Sequence, residues 1–392
     1  MLSAVFDPEA LIAAACEAND TNDLWGDAFR EPLDVLSGAI AEEAGLYPAR
    51  SWRMARWVLE LLETRGRIAE RLKVAGPEVA AIPIERPIII TGLPRTGTTL
   101  LHNLLSTLEG LRSYSQWEMR YVVPESDAGV EWKREAIADT DAELRALYER
   151  VPRLAKIHTI SVDAPDECHW LTRHSFASLI FGYTLNIPSY TRWLLGRSQA
   201  RAYAEHRCQL QLLAQRDGEV GQRLVLKDPG HLWALSELAN TYPDALIVRL
   251  HRDPAQAVPS LCSLMHTLQA MDSQISDPTQ VGPFASEMVA CGLERERAFR
   301  KTPAGERVFD VEYEDLVGDP IGTVRSICAR AGHPLDELAI TRLDRWLGRH
   351  PQHAAGRHVY QAEDFGLRAD ELRERFGRTA NWRGCSSQLG AP

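Results

Sequence analysis

Gly92 and Gly97 close an apolar run, Ile88-Ile89-Ile90-Thr91, and Arg95 lies between them. A glycine-rich turn between a strand and a helix aims several backbone N–H groups at one point, which makes a cradle for a phosphate or a similar anion. The nucleoside-triphosphate version of this loop reads Gly-x4-Gly-Lys-Ser/Thr, with the lysine reaching the terminal phosphates. Here Thr98 stands in the lysine's place and Thr99 follows it. The cradle survives while that cation is missing, and Arg95 offers a charge from another angle. The competing explanation is a tight strand-to-helix turn with a surface arginine. Strand, glycine spacing and helix nevertheless fall in the order that anion binding requires.

The surrounding pattern must position these groups. Leu100, Leu101, Leu104, Leu105 and Leu108 share one helical face directly after the loop. A second strand is expected over Arg223–Lys227, a third over Ala245–Arg252 and a fourth over Val308–Tyr313. Asp228-Pro229, Asp253-Pro254 and Asp319-Pro320 follow, each before a helical pattern. Strands alternating with helices at this spacing imply a parallel sheet covered on both faces. Ligands of such sheets bind beyond the carboxyl ends of the strands. Lys227, Arg252 and Tyr313 sit at three of those ends and Arg95 just beyond a fourth, so fold logic alone brings them towards one crevice.

Other stretches carry less chemistry. Residues 1–82 read as a helical extension, with Ala10–Ala18 alanine-rich, Met54, Val58, Leu61 and Leu62 on one face, and Gly76-Pro77 breaking the pattern. Its expected role is packing on the domain formed by residues 83–392 or on a second subunit, as in a homodimer. Leu111–Pro124 has room for a short strand, and residues 131–155 are charged and helical. Asp166–Arg197 turns aromatic, with Trp170, Phe176, Phe181, Tyr183, Tyr190 and Trp193. Such a stretch is more often core than pocket, yet its place after the loop makes it the candidate acceptor wall or lid.

Bulk properties narrow the function. The 392 residues are 45% hydrophobic and 25% charged, as in ordinary globular chains. A formal charge of −10 argues against general binding to nucleic acid or an anionic membrane, so an anionic ligand must meet a local basic cluster. The seven cysteines include no Cys-x-x-Cys pair, which favours buried thiols in a reducing cytoplasm over a disulfide framework or a zinc site. No secretory leader is expected, since acidic residues interrupt the first apolar stretch. Phe176–Ile187 is too short to cross a bilayer.

Several motifs resemble the sulfotransferases that use 3′-phosphoadenosine-5′-phosphosulfate (PAPS). Pro94-Arg95-Thr96-Gly97-Thr98-Thr99 resembles their 5′-phosphosulfate loop, and Arg252 with Ser260 their 3′-phosphate motif. Leu226-Lys227-Asp228-Pro229 is similar to a segment of the tyrosylprotein branch. Gly230-His231-Leu232 and the run from His358 through Tyr360 to Leu367 resemble a bacterial group. The resemblance covers about residues 86–380. It implies an α/β, P-loop NTPase-like three-layer fold with a central parallel sheet, PAPS as co-substrate and no metal. Tyr313 matches a position that contacts adenine, and Glu118 a position where some branches place a glutamate base. His231 is the rival base, because another branch uses a histidine.

The chemistry fits those residue types. PAPS is polyanionic, and charge-assisted bonds from arginine and backbone N–H are the natural way to hold it. Sulfuryl transfer needs positioning and charge neutralisation more than covalent help, and without a γ-phosphate and its Mg²⁺ the absent loop lysine is no loss. Lys227 and Arg95 would meet charge growing on the leaving oxygen. The expected acceptor is a hydroxyl on a lipophilic small molecule. Two alternatives stand beside this reading: a P-loop kinase, against which the missing lysine counts, and a non-catalytic nucleotide-binding interaction protein.

Overall fold

The runs Ile88–Ile90 and Leu224–Leu226 are apolar on both sides of the chain, which is the pattern of strands buried on both faces. In the computed structural model, which describes residues 2–124, 131–157, 160–351 and 360–377, the strand runs form one parallel sheet. The strands are β1 (Ile88–Gly92), β2 (Leu111–Arg112), β3 (Arg223–Lys227), β4 (Leu246–His251) and β5 (Val308–Glu312), in the order β2-β3-β1-β4-β5. Ile89 sits opposite Leu226 on one side and Ile247 on the other.

Alternation along the strands feeds two cores. Ile88, Ile90, Val225, Val248 and Leu250 face Leu101, Leu104 and Leu105 of the helix Thr98–Ser106, with Val324 and Ile327 of the helix Pro320–Ala331. Ile89, Leu224, Leu226 and Ile247 face a larger core that takes in the N-terminal helices. A one-residue slip would exchange the two sets, and each buried Ile or Leu contributes about 1.5–3 kcal/mol. Register is therefore strongly fixed.

Asp-Pro pairs mark the exits from β3 and β4, and a third pair opens the helix Pro320–Ala331 after β5 and the short helix that follows it. Asp228 accepts from Gly230 N (2.7 Å), Asp253 from Ala255 N (2.9 Å) and Asp319 from Gly322 N (2.8 Å), with proline next in each case. The aspartate satisfies an otherwise unpaired N–H, and proline's fixed φ suits the first helical position. β4 and β5 end one residue earlier than the sequence suggests, so Arg252 lies in the exit turn and Tyr313 opens the helix Tyr313–Gly318.

The N-terminal segment is helical over Pro8–Ala18, Arg30–Glu42 and Pro48–Ala80. Gly76-Pro77 does not end the last of these. The backbone leaves helical values at Ala75 (φ −125°, ψ 19°) and then resumes, a bend that accommodates the ring and missing N–H of Pro77. Arg65 on that helix is fully buried. It pairs with Glu205 (2.8 Å) and donates to the carbonyls of Leu24, Trp25 and His174. Two N-terminal segments are thus tied to the chain just beyond His169–Thr172.

Candidate active site

The loop after β1 is shaped by its glycines. A Cβ on Gly92 would come within 2.8 Å of the Leu250 carbonyl oxygen on β4, so only glycine fits there. Arg95 and Gly97 both adopt left-handed backbone (φ +73° and +88°), a conformation that strains a non-glycine residue and recurs at ligand sites. Gly97 caps the nine-residue helix Thr98–Ser106, whose first N–H groups have no partner within the helix. The Tyr313 ring lies against Gly97, where an added Cβ would stand 3.1 Å from Tyr313 Cδ2.

The predicted cations gather round this loop. Arg252 Nη1 donates to the Arg95 carbonyl (2.9 Å), and its guanidinium lies 4.5 Å from the centroid of the Tyr313 ring. Arg95 Nε donates to Ser260 Oγ (3.3 Å). Burial, then the nearby Arg252 guanidinium, make the charge on Arg95 costlier and lower its pKa, although Tyr360 and Tyr313 oppose them. Arg252 Nε is buried with no hydrogen-bond partner, and Arg252 has no carboxylate partner among the described residues. Adjacent guanidiniums with an unused buried donor are a good match for a polyanion.

Lys227 completes the set from the neighbouring strand. Its side chain is 1% exposed, and Nζ lies 3.5 Å from Thr99 Oγ1, in the first turn of the loop helix. Its stronger contact is with Glu167 Oε1, at 2.6 Å. The ammonium thus links the anion loop, through Thr99, to a cleft that Glu167 lines. Backbone bonds fix Glu167 there: Asp166 N donates to Tyr114 O (3.0 Å) and Cys168 N to Lys227 O (2.9 Å).

That cleft encloses about 380 Å³ including its mouth. Most of its wall comes from residues 167–183, among them Glu167, Leu179, Ile180 and Tyr183, with Tyr203, Asp228 and His231 opposite. The aromatic stretch divides between two roles: Phe176, Phe181 and Tyr190 are buried in the core while Tyr183 lines the cleft. His231 is 1% exposed; its Nδ1 is 2.8 Å from Tyr203 Oη, and Nε2 has no partner among the described residues. Burial, reinforced by His206, drives its pKa well below the usual imidazole range, so the ring is neutral. Burial and the Glu167 carboxylate push the Asp228 carboxyl up, towards its neutral form.

Glu118 is placed differently. Its Oε2 accepts from Ser115 N (2.7 Å) and Ser115 Oγ (2.9 Å), and Oε1 pairs with Arg112. It closes a capping box on the helix Gln116–Arg120 and is not among the residues lining the cleft. The spacing Ser115-x-x-Glu118 is the sequence signature of that cap. Glu167 and Tyr203, by contrast, carry no local signal, because only the docking of residues 164–168 on the tip of β3 brings Glu167 to Lys227. Of the C-terminal motif, Tyr360 to Leu367 is described and Phe365 is buried, whereas His358 lies outside the described residues.

The profile of the sulfotransferase family matches residues 87–337. The omega-hydroxy-beta-dihydromenaquinone-9 sulfotransferase Stf3 of Mycobacterium bovis is 24% identical over 332 residues, covering 78% of each chain. Sulfotransferase STF1 of Mycobacterium tuberculosis H37Rv superposes with a TM-score of 0.81 at 32% identity, covering 94% of this chain and 98% of that one. STF9 of Mycobacterium avium gives a TM-score of 0.84 at 25% identity, covering 95% of both. Coverage this complete takes in most of the first eighty residues, which the sequence motifs alone leave outside the resemblance.

Proposed function

The chain belongs to the sulfotransferase family and is a PAPS-dependent sulfotransferase, and we propose that it transfers the sulfuryl group to a hydroxyl of a lipophilic small molecule held in the cleft beside Lys227. The observation that carries this reading is the linked cluster at the strand ends. Arg95, Arg252, Ser260 and Tyr313 contact one another around a single loop, and Lys227 joins that loop to the cleft. The acceptor class is supported by Leu179, Ile180 and Tyr183 in the wall and by the hydroxylated menaquinone named for the relative Stf3.

In this reading the N–H groups and hydroxyls from Thr96 to Thr99, with Arg95, hold the 5′-phosphosulfate. Arg252 and Ser260 hold the 3′-phosphate, with Tyr313 beside the adenine. A charge-assisted bond of this kind is worth roughly 1.5–3 kcal/mol. Sulfur bonds to the acceptor oxygen as its bond to the 5′-phosphate oxygen breaks. The bonding pair leaves with 3′,5′-adenosine bisphosphate (PAP), and the acceptor proton passes to a protein base. Lys227 and Arg95 stabilise charge on the leaving oxygen without reorganising, and no step calls on a metal. His231 is a neutral group facing the acceptor. The capping box and the Arg112 pair support Glu118 as a positioning residue for the segment that carries Tyr114.

The test is calorimetric titration of the protein with PAP, ATP and NAD in the absence of metal, followed by transfer from ³⁵S-labelled PAPS to a panel of phenols, isoprenoid alcohols and long-chain primary alcohols. Preference for PAP and labelling of at least one alcohol are expected. Tighter binding of ATP, or PAP binding with no product, would replace this reading with a kinase or a non-catalytic binder.

A further inference from the structure

We infer that Glu167 is the group that takes the proton of the acceptor hydroxyl, and that Lys227 holds it until the donor arrives. The inference rests on the function proposed above. Three carboxylates lie around Lys227, and Glu167 is the one paired with its ammonium. Asp166 accepts from Trp170 Nε1 (3.0 Å) and Glu167 N (2.7 Å), and Asp228 caps Gly230. Glu167 instead reaches out to the lysine at 2.6 Å and lines the cleft, with its side chain 16% exposed. It is the carboxylate placed where donor and acceptor sites join.

The other candidate bases are less suited. A proton on His231 would have to be held in a fully buried ring beside His206 and Lys227, and those surroundings disfavour the imidazolium. Glu118 faces Arg112 and Ser115 rather than the cleft. A base must stand within reach of the proton it removes, and Glu167 lines the cleft beside Lys227, where an acceptor in that cleft would present its hydroxyl.

The pair with Lys227 also couples the two sites. A 5′-phosphate arriving at the loop offers Lys227 a stronger anion and places negative charge near Glu167. Like charges repel and the lysine is drawn to the phosphate, so Glu167 is released towards the acceptor only when the donor is bound. The transfer balances: Glu167 gains the hydroxyl proton, oxygen bonds to sulfur, and PAP departs with the electron pair.

The experiment uses E167Q and E167D with wild type, folding being checked by Tm. PAP affinity is read by calorimetry, and turnover is read on an alcohol or phenol that wild type sulfates. E167Q should bind PAP roughly three- to tenfold tighter, since the competing charge is gone. Its kcat should fall on the order of 10²–10⁴-fold. E167D, with a carboxylate one methylene back, should regain part of that kcat. Should E167Q bind PAP no tighter, or keep kcat within about threefold of wild type, the inference is overturned. Wild type that neither binds PAP nor labels any alcohol would instead overturn the reading beneath it.

Discussion

Arg249, inside β4, and Arg252, just past its end, meet opposite electrostatic surroundings. Arg249 Nη2 meets Glu296 at 2.9 Å, Glu296 also pairs with Arg300, and Arg300 pairs with Asp310, which lies 2.6 Å from His251. Cations and carboxylates close on each other there, in the interior. Arg252 meets a carbonyl oxygen and an aromatic ring and has no carboxylate partner among the described residues, and since Nε of both arginines is buried without a hydrogen bond, carboxylate pairing is what separates them. One cluster has its charges paired as folded, and the other is short of an anion. Neutralised buried cations hold the molecule together, and those short of acidic partners mark where a ligand completes it.

Breaking the closed cluster has the largest expected effect. Glu296→Ala strands the buried Arg249 and takes one of two carboxylates from Arg300, and it should cost about 3–5 kcal/mol of stability, read by urea denaturation, with PAP affinity unchanged in the protein that remains folded. A loss below about 1 kcal/mol would mean that this cluster is not the structural member of the pair. The converse change, Arg252→Ala, should weaken PAP binding by about 2 kcal/mol while leaving Tm close to wild type. Unchanged affinity by calorimetry would remove Arg252 from the donor site.

The closed cluster also responds to acid. Burial pushes the Asp310 carboxyl up, yet bonds from His251 and Arg300 outweigh it and hold the pKa to about 2. A folded-state pKa below the unfolded value near 3.9 stabilises the protein above that value, and the gain is lost as pH falls towards 2. Tm should therefore drop over this window by an amount worth about 2 kcal/mol, and Asp310→Asn should flatten that part of the profile. An equally steep acid limb in the variant would show that other carboxylates set it.

Much of the donor site is legible in the chain because it is built from contiguous rules. Glycine spacing, an apolar run short enough for a buried strand, and Asp-Pro after each strand-end cation act over a few residues. They place Arg95, Lys227 and Arg252 at neighbouring strand ends. The capping box of Ser115 and Glu118 is also a local rule, but reading Glu118 as a candidate base leaves that rule unused. Local rules fail where segments distant in sequence meet. Glu167 reaches Lys227 only because residues 164–168 dock on the tip of β3.

Determined by the sequence alone were the parallel sheet, the anion loop and the family, since backbone conformation and burial pattern follow from neighbours along the chain. Left to the tertiary structure was the partner of each buried charge: Glu296 for Arg249, Glu167 for Lys227, and no carboxylate among the described residues for Arg252. Charges interact through space, and position along the chain carries no information about which acid will lie within 3 Å once the helices have closed over the sheet.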